Sequence, residues 1–210
     1  MNRFGPDPQA FFEAVYEGPA PWDVGGPQPA LMELISEFPP REPVLDLGCG
    51  SGDHVIALAQ LGLRVVGIDF ARGAVDEART RAKALPDELR RRLDFRMADA
   101  LHPSRLPERF GAIVDSGFFH LFEPEDCDRL VEEVAAALRP GGRYYLLEFA
   151  VEFPVPNVPR AVSEDEVRAR FTPEAGWRIL ACRPAEFLSR VAPVPATAAC
   201  VERLAGAADG

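Results

Sequence analysis

VLDLGCGSGDHVIALAQLGLRVVGID, residues 44–69, contains three kinds of sequence pattern in succession. Residues 44–47 are a short apolar run, which is typical of a buried parallel strand. A glycine-rich turn follows at 48–52, and residues 53–61 then have helical periodicity. Residues 64–69 are a second run rich in β-branched residues, and it ends in a carboxylate. The order of strand, glycine turn, helix and strand predicts a right-handed βαβ unit.

The glycine turn predicts a ligand that lies against bare backbone. The helix after the turn directs its N-terminal N–H groups and positive dipole end at that ligand. Asp69, at the tip of the second strand, is placed to accept hydrogen bonds from vicinal ribose hydroxyls. A dinucleotide fingerprint needs glycine where this chain has Asp53. Asp46 would repel a pyrophosphate but suits a cationic ligand, so a NAD-dependent reductase is a remote alternative.

The pattern D-x-G-x-G-x-G at 46–52 resembles motif I of the class I S-adenosylmethionine (SAM) dependent methyltransferases. SAM carries an ammonium and a sulfonium and no phosphate, which agrees with the acidic residues around the turn. The order of predicted elements from about 29 to 191 is also similar to that fold, and the LRPGG turn at 138–142 strengthens the match. The alternative is a glycine turn in another α/β fold.

The resemblance implies an α/β, Rossmann-like, seven-stranded and mostly parallel sheet with helices on both faces. The expected strand order is 3-2-1-4-5-7-6, with strand 7 antiparallel. We assign residues 1–28 to an aromatic and proline-rich N-terminal cover segment and residues 29–210 to the methyltransferase domain.

Local patterns predict the elements outside residues 44–69. Asp7 caps a short leader helix that begins at Pro8, and a second helix begins at Pro29. The other predicted elements are a helix at 71–85, strands at 93–97, 111–115 and 143–151, a helix at 124–138 closed by a glycine stop at 139–142, a helix behind a capping box at 163–166, a hairpin of strands at 176–183 and 184–191, and a last helix at 196–207.

The resemblance also implies a role for each residue that matches the family's motifs. Asp46 and Gly48 would face the methionine part of SAM, and Asp69 would hold the ribose. Asp99 would accept from the adenine amino group, while the alternative for Asp99 is the cap of a loop. Phe70 would lie against the adenine face. The complete predicted cofactor-binding set is Trp22, Asp46, Gly48, Cys49, Gly50, Gly52, Asp69, Phe70, Asp99, Ala100, Asp115, Ser116 and Gly117.

Two shorter motifs are similar to one branch of this family. PAPWDVGGPQP at 19–29 and DSGFFHLF at 115–122 resemble the thiopurine and thiol methyltransferase-like branch, especially bacterial enzymes that methylate small heteroaromatic toxins such as hydroxyquinolones. In that branch the leader closes over SAM and substrate. Of the two interpretations of this chain's leader, the resemblance therefore favours a cover for the pocket and not a strap packed on the body. The candidate substrate-pocket residues, of which a part is expected to be plain core, are Phe12, Tyr16, Trp22, Phe118, Phe119, Phe122, Phe149 and Phe153.

His120 follows the fourth predicted strand, where the acceptor of the methyl group should lie. A histidine with the ordinary pKa of about 6.5 can take a proton from a phenol, an N-hydroxyl or a ring N–H as the methyl arrives. Asp115 or Glu148 would orient the ring. The open alternative is a histidine that only shapes the pocket, and His54 and His102 are interpreted as structural.

The composition limits the class of partner. A nucleic-acid binder normally shows a basic face, whereas this chain has a net charge of −10 and a pI of about 4.9, so we expect no nucleic-acid substrate. The arginine run at 90–92 is interpreted as a solvated loop or helix end. The sequence has neither a membrane-spanning apolar run nor a secretion signal, which predicts a cytoplasmic protein. We expect it to be a monomer or a homodimer. The four cysteines lack metal-binding spacing, so no metal is expected.

Three functions remain open from the sequence. The leading hypothesis is an enzyme that transfers a methyl group from SAM to an O, N or S nucleophile of a small aromatic or heterocyclic molecule, with S-adenosyl-L-homocysteine as the second product. A rival is a thiol or metalloid (arsenite or tellurite) methyltransferase, although metalloid enzymes of this kind usually use several pocket cysteines. A rival of another class is a SAM-binding protein without catalysis.

Overall fold

A seven-stranded sheet forms the centre of the computed structural model, which describes residues 4, 7–18, 20–154 and 158–205. The strands are β1 (Val44–Leu47), β2 (Val65–Asp69), β3 (Leu93–Met97), β4 (Phe110–Ser116), β5 (Leu138–Phe149), β6 (Trp177–Phe187) and β7 (Val194–Arg203). Their order is β3-β2-β1-β4-β5-β7-β6. Neighbouring strands from β3 to β5 pair in parallel, and β7 runs antiparallel to both β5 and β6. The predicted strand order and the antiparallel seventh strand are confirmed.

Helices lie on both faces of this sheet. They are α1 (Pro8–Val15), α2 (Pro29–Glu37), α3 (Asp53–Gln60), α4 (Arg72–Lys83), α5 (Asp87–Arg90), α6 (Pro124–Ala137) and α7 (Glu164–Arg170). Short 3₁₀ turns occur at Pro103–Arg105 and Phe119–Leu121. Within the described ranges, no helix has both the length and the apolar character needed to cross a membrane.

Two hydrophobic cores, one on each face, explain why the central strands are continuous apolar runs. In β1, Leu45 packs into the core that contains Leu130 and Val134 of α6. Its neighbour Val44 points into the opposite core with Leu58 of α3. Because successive side chains of a strand alternate between faces, a strand covered on both sides favours apolar residues on both faces.

Local capping signals place two of the helix starts. The Asp7 side chain accepts a hydrogen bond from Ala10 N at 3.0 Å, and α1 begins at the proline that follows. Ser163 accepts from Glu166 N at 3.1 Å, as a capping box predicts. The box is only half formed, because the Glu166 carboxylate pairs with Arg160 instead of returning to the Ser163 backbone.

The predicted glycine stop after α6 is wrong in its position. The helix ends at Ala137, and Leu138 is already extended with a ψ of 148°. Gly141, with a φ of 71°, lies inside β5 at an irregularity where the pairing with β4 shifts register. The glycine therefore makes a bulge at the start of the strand rather than the end of the helix.

The prediction for the C-terminal part is also wrong. Residues 176–191 do not form a hairpin, because Trp177–Phe187 is one continuous strand, β6. The last predicted helix, 196–207, is instead the strand β7, and its final two residues lie outside the described residues. Positions 196–201 of β7 are buried between β5 and β6, and small apolar side chains fit this place in the sheet. Tertiary packing therefore overrides the helix propensity of the alanines.

Candidate active site

A cavity of about 340 Å³ opens at the carboxyl ends of β1, β2 and β4. One side of its wall is the glycine turn after β1, residues 48–51, and another is formed by residues 116–118 after β4. Side chains of the leader line a further part of the wall. Strands β2 and β4 flank β1 on opposite sides, so the cavity lies where the strand order reverses direction, as expected for the ligand site of an open α/β sheet.

The glycines of the turn serve two different purposes. Gly50 has a φ of 52°, and a Cβ atom on it would come within 2.8 Å of the Tyr16 hydroxyl on the cavity wall. A bare backbone is therefore needed here for close approach from the cavity side. Gly52 is not on the cavity wall, and a Cβ atom on it would meet the Phe95 ring at 2.7 Å. Its contribution is to the packing of α3 against the sheet.

Asp69 joins the glycine turn to the start of α4. Its carboxylate accepts from Gly50 N at 3.0 Å and from Ala71 N at 2.8 Å. Burial raises the pKa of Asp69, and these backbone hydrogen bonds act in the opposite direction. Each oxygen keeps a second lone pair for a ribose hydroxyl. Phe70 beside it also lines the cavity. Both positions agree with the predicted roles, which stay predictions.

Asp46 is buried just behind the site. Its side chain is 2% exposed, and Oδ2 has no hydrogen-bond partner among the described residues. Burial raises the pKa of Asp46 well above its ordinary range, and the charges of Asp115 and Asp69 raise it further. An unpartnered buried carboxyl oxygen next to a glycine-rich turn fits a ligand that brings a positive charge.

Asp99 and Ala100 are not part of the cavity wall in the structure. The Asp99 carboxylate accepts from Leu101 N at 2.9 Å and lies 2.7 Å from His102 Nδ1. The side chain is thus engaged in its own turn, and Ala100 is buried in a hydrophobic core. This geometry matches the loop-cap alternative. The adenine role of Asp99 would require a different orientation of its side chain.

Asp115 and Glu148 form a buried pair of carboxyl groups behind the wall. Asp115 accepts from Phe118 N at 2.8 Å and from the Tyr144 hydroxyl at 2.6 Å. Glu148 Oε2 accepts from His120 N at 3.1 Å, whereas Oε1 has no partner among the described residues. Burial and the neighbouring Asp115 charge raise the pKa of Glu148 well above its ordinary range, and burial also raises the pKa of Asp115. Glu148 is therefore the member of the pair that holds a proton more firmly.

This carboxyl pair holds the Phe119–Leu121 turn through backbone hydrogen bonds and does not itself line the cavity. Glu148 thus holds the backbone of His120, and Asp115 holds the backbone of Phe118 and Phe119, which differs from the predicted orientation of the His120 ring.

The ring of His120 lines the cavity but is 3% exposed. Its Nδ1 accepts from Phe149 N at 3.1 Å, and the 3.2 Å approach of Glu148 Oε2 is not aligned as a hydrogen bond. Burial lowers the pKa of His120 to about 3, the Arg160 charge lowers it too, and a hydrogen bond to the Gly117 backbone raises it. The neutral ring therefore carries its proton on Nε2. This geometry supports the alternative in which His120 shapes the pocket, and the base role stays a prediction.

Most of the predicted aromatic pocket residues do line the cavity, and two do not. Those on the wall are Phe12, Tyr16, Trp22, Phe118, Phe149 and Phe153. Phe119 is instead a core residue, with the guanidinium groups of Arg160 and Arg170 within 6 Å of its ring. Phe122 packs edge-on against Phe118 from behind, with 4.9 Å between ring centroids.

Gln28 and His54 are among the residues of the wall that were not predicted. Gln28 is 3% exposed, and its amide exchanges two hydrogen bonds with the backbone of Leu188, at 2.9 and 2.7 Å. His54 Nε2 accepts from Gln28 N at 3.1 Å, which joins the leader to α3. The PQP signal around Gln28 was visible in the sequence, but its partner lies 160 positions away.

Fold and site together define a nucleoside-binding α/β protein with a turn suited to a cationic ligand. The model of the methyltransferase domain family matches residues 44–142. The 2-heptyl-1-hydroxyquinolin-4(1H)-one methyltransferase of Mycobacteroides abscessus is 34% identical over 76% of this chain and 74% of that protein. The probable thiol methyltransferase 2 of Arabidopsis thaliana is 30% identical over 71% of this chain and 65% of that protein.

A solved structure is similar to this chain over almost its whole length. It comes from work on the conversion of a disulfide bond into a thioacetal group during echinomycin biosynthesis. It superposes with a TM-score of 0.80, is 29% identical and covers 93% of both chains.

The chain belongs to the SAM-dependent methyltransferases. It is therefore an enzyme with SAM as its cofactor, and the resemblance found in the sequence is confirmed. The comparisons give no support to the alternative of a SAM-binding protein without catalysis.

Proposed function

We propose that this enzyme transfers the methyl group of SAM to an oxygen, nitrogen or sulfur nucleophile of a small aromatic or heterocyclic molecule. The observation that carries the proposal is a cavity wall built largely from aromatic rings. Beyond the six predicted rings named above, Phe4, Phe11, Phe70 and Phe187 line it. Such a wall fits the flat apolar faces of an aromatic acceptor.

The relatives support this class of acceptor. The mycobacterial relative is named for a heteroaromatic substrate with an N-hydroxyl group, and it aligns with three-quarters of this chain. The net charge of −10 argues for a small molecule rather than a nucleic acid as the acceptor.

The enzyme's part in catalysis is alignment and the exclusion of water. Bound SAM supplies a methyl group on a sulfonium, whose leaving group is already activated. The turn around Gly50 and the carboxylate of Asp69 would hold the nucleoside, so that the acceptor meets the methyl in line. Aromatic faces on the wall attract a sulfonium by about 0.5–2 kcal/mol each. The same rings keep water from the reacting atoms.

We also propose that the leader, residues 1–28, works as a cover over the domain formed by residues 29–210. Its described residues make specific contacts with the body. The Phe12 ring meets the Phe70 ring edge-on at 5.9 Å, and Pro21 O accepts from Arg190 N at 2.9 Å. These contacts join the cover to the body at two separate points.

A thiol acceptor is the second candidate, since a relative from Arabidopsis thaliana is named a probable thiol methyltransferase. A metalloid acceptor has less support. Among the described residues, Cys49 is the cysteine on the cavity wall, and burial raises its thiol pKa well above the ordinary value. No group of three His, Cys, Asp or Glu side chains in these residues is arranged to hold a metal ion.

The proposal is tested by a SAM-consumption screen with phenols, hydroxyquinolines, thiols and azaheterocycles, with product mass spectrometry. We expect an aromatic acceptor to gain one methyl group. A matched pair of variants connects turnover to the cavity: Phe149→Leu should raise the KM for the acceptor, while Phe122→Leu, behind the wall, should change it less. SAM binding by calorimetry without turnover of any aromatic acceptor would refute the proposal.

A further inference from the structure

We propose that the acceptor enters the cavity already ionised, so that the enzyme methylates acidic nucleophiles such as aromatic thiols, N-hydroxy heterocycles and acidic phenols as their anions. This inference rests on the proposed function and narrows its substrate class. It follows from what the titratable groups on the cavity wall are bonded to, from the apolar character of the remaining wall, and from the charge balance of the reaction.

The carboxylates on the wall are committed to the turn and the leader. Asp69 accepts two backbone hydrogen bonds, from Gly50 and Ala71. Asp53 forms an ion pair with Arg81. Asp23 accepts from Gly25 N at 3.0 Å. All three lie next to the glycine turn or at the start of its helix, where SAM is expected to bind.

The two histidines of the wall have their acceptor nitrogens occupied. His120 Nδ1 accepts from Phe149 N, and its Nε2 side faces Gly117. The titratable and charged groups around this ring are the Arg160 guanidinium and the Glu148 carboxyl group. Glu148 is paired with Asp115 on the neighbouring strand. His54 Nε2 accepts from the backbone of residue 28. Neither ring presents a free lone pair to a proton on the acceptor.

Two further groups on the wall can lose a proton but are poor bases where they stand. The Tyr16 hydroxyl lies over Gly50, and burial raises its pKa. Cys49 donates its thiol hydrogen toward Gly50 O at 3.8 Å. Both are neutral near pH 7 and act as donors rather than acceptors of a proton.

The rest of the wall is apolar. The apolar side chains that line the cavity on the His120 side are Leu121, Phe149, Phe153, Pro159 and Phe187. Neutral polar groups, such as the Ser189 hydroxyl, are the polar part of the wall on this side. Among the described residues, an acceptor placed here meets no side chain suited to remove its proton.

The reaction of an anion needs no such side chain. The acceptor's anionic atom forms a bond to the methyl carbon, and the electron pair of the carbon–sulfur bond goes to sulfur, which leaves as a neutral thioether. One negative and one positive charge disappear, and the proton has already gone to solvent. A water-poor apolar cavity favours a step that removes charge, because the separated ions are poorly solvated there.

The test is a series of thiophenols and phenols whose own pKa values run from about 5 to about 10. For each, kcat/KM is measured against pH on the wild-type enzyme. We expect kcat/KM to rise tenfold per pH unit up to a break at the acceptor's own pKa, so that the break moves with the acceptor. A break at one fixed pH for every acceptor would show a base in the enzyme and overturn the inference.

The variant His120→Asn keeps an oxygen acceptor near the Nδ1 position and has no ring nitrogen to take a proton. We expect each acceptor to keep its break in this variant. A loss of about 10²-fold confined to the weakly acidic phenols would identify His120 as the base and overturn the inference. Methylation with a fixed break refutes only this inference, whereas SAM binding without any methylation refutes the proposed function as well.

Discussion

The Glu13 carboxylate, on α1, accepts a hydrogen bond from the backbone N–H of Arg72 at 2.7 Å, at the first residue of α4. Its second oxygen accepts from Gly73 N at 3.2 Å. Helix α4 has no side-chain cap of its own, since Ala71 stands at the capping position. The leader therefore supplies a cap to a helix of the body, where the N–H groups and the positive dipole end favour a carboxylate.

Replacing Glu13 with Gln should loosen the cover. The amide keeps its shape but loses the charge and one acceptor, at a cost of about 1 kcal/mol in the contact with α4. We expect SAM to dissociate several-fold faster, measured by calorimetry and stopped-flow binding, and amides of α1 to exchange hydrogen faster. Glu17→Gln, an exposed position in the same leader, is the matched control. Equal dissociation rates for the two variants would show that Glu13 does not hold the cover.

The centre of the sheet was predictable because its signals are local. Residues 44–69 carry the strand, turn and helix patterns within one short segment, and the order of the other strands came from the resemblance to a known family. The same locality explains Asp69: a carboxylate at a strand tip is visible without knowing what surrounds it.

The C-terminal strand was not predictable in this way. The segment that became β7 is rich in alanine, whose intrinsic preference is helical. Small apolar residues suit this segment only because it lies between β5 and β6 in the sheet. That position depends on pairing with residues 143–149. Burial on both faces also removes the alternation by which a strand is usually found.

The site was predictable in its types of residue but less in their contacts. His120 was expected beside the acceptor, and the structure does place it on the wall. Its Nδ1 is occupied by the Phe149 backbone, a bond that joins two strand ends and leaves no trace in sequence spacing. The partners of Glu13 and Gln28 are likewise distant in the chain, so neither residue drew attention.

Gln28 should act as a positioning residue for the loop after β6. Gln28→Ala removes both hydrogen bonds to Leu188, while the backbone bond to His54 survives. Because a partly buried N–H and C=O of Leu188 lose their partners, we expect about 1–3 kcal/mol less stability in urea unfolding. We also expect a several-fold higher KM for the acceptor with kcat little changed, and faster trypsin cleavage after Arg190.

The matched control for this change is Gln60→Ala, at the exposed end of α3. It should leave the KM for the acceptor and the cleavage at Arg190 as in the wild type. If Gln28→Ala lowers stability but leaves both of those values unaltered, its amide is only a structural link and does not position the loop.

Asp69→Asn should weaken SAM binding through the ribose. The amide nitrogen cannot accept, so one of the hydrogen bonds from Gly50 and Ala71 is lost together with an acceptor for a ribose hydroxyl. We expect the Kd for SAM to rise by about 10- to 100-fold in calorimetry, or about 1.4–2.8 kcal/mol.

An analogue of S-adenosyl-L-homocysteine without the 2′-hydroxyl separates ribose contact from general damage. It should bind the wild type more weakly than the parent compound, and this penalty should shrink in Asp69→Asn. Asp99→Asn is the comparison at the neighbouring strand end, where the carboxylate is engaged in its own turn, so its effect on SAM should be small. A large effect there would restore the adenine role of Asp99.

The partly buried His54 should make the enzyme less stable in weak acid. Burial lowers the pKa of His54 to about 4 in the folded chain, against about 6.5 for an unfolded histidine. Between these values the unfolded state binds a proton that the folded state does not, so the free energy of unfolding falls as the pH falls. The slope from this residue is at most about 1.4 kcal/mol per pH unit.

His54→Gln isolates this contribution, because Gln can still accept from the backbone of residue 28 and does not titrate. The buried carboxyl groups of Asp46 and Glu148 act in the opposite sense, since their raised pKa makes the folded state bind protons, but they are common to both proteins and cancel in the difference. Urea unfolding at several pH values should show equal slopes above about pH 7 and a steeper loss in the wild type below it. Parallel curves through the whole range would mean that His54 is not held in its neutral form by the fold.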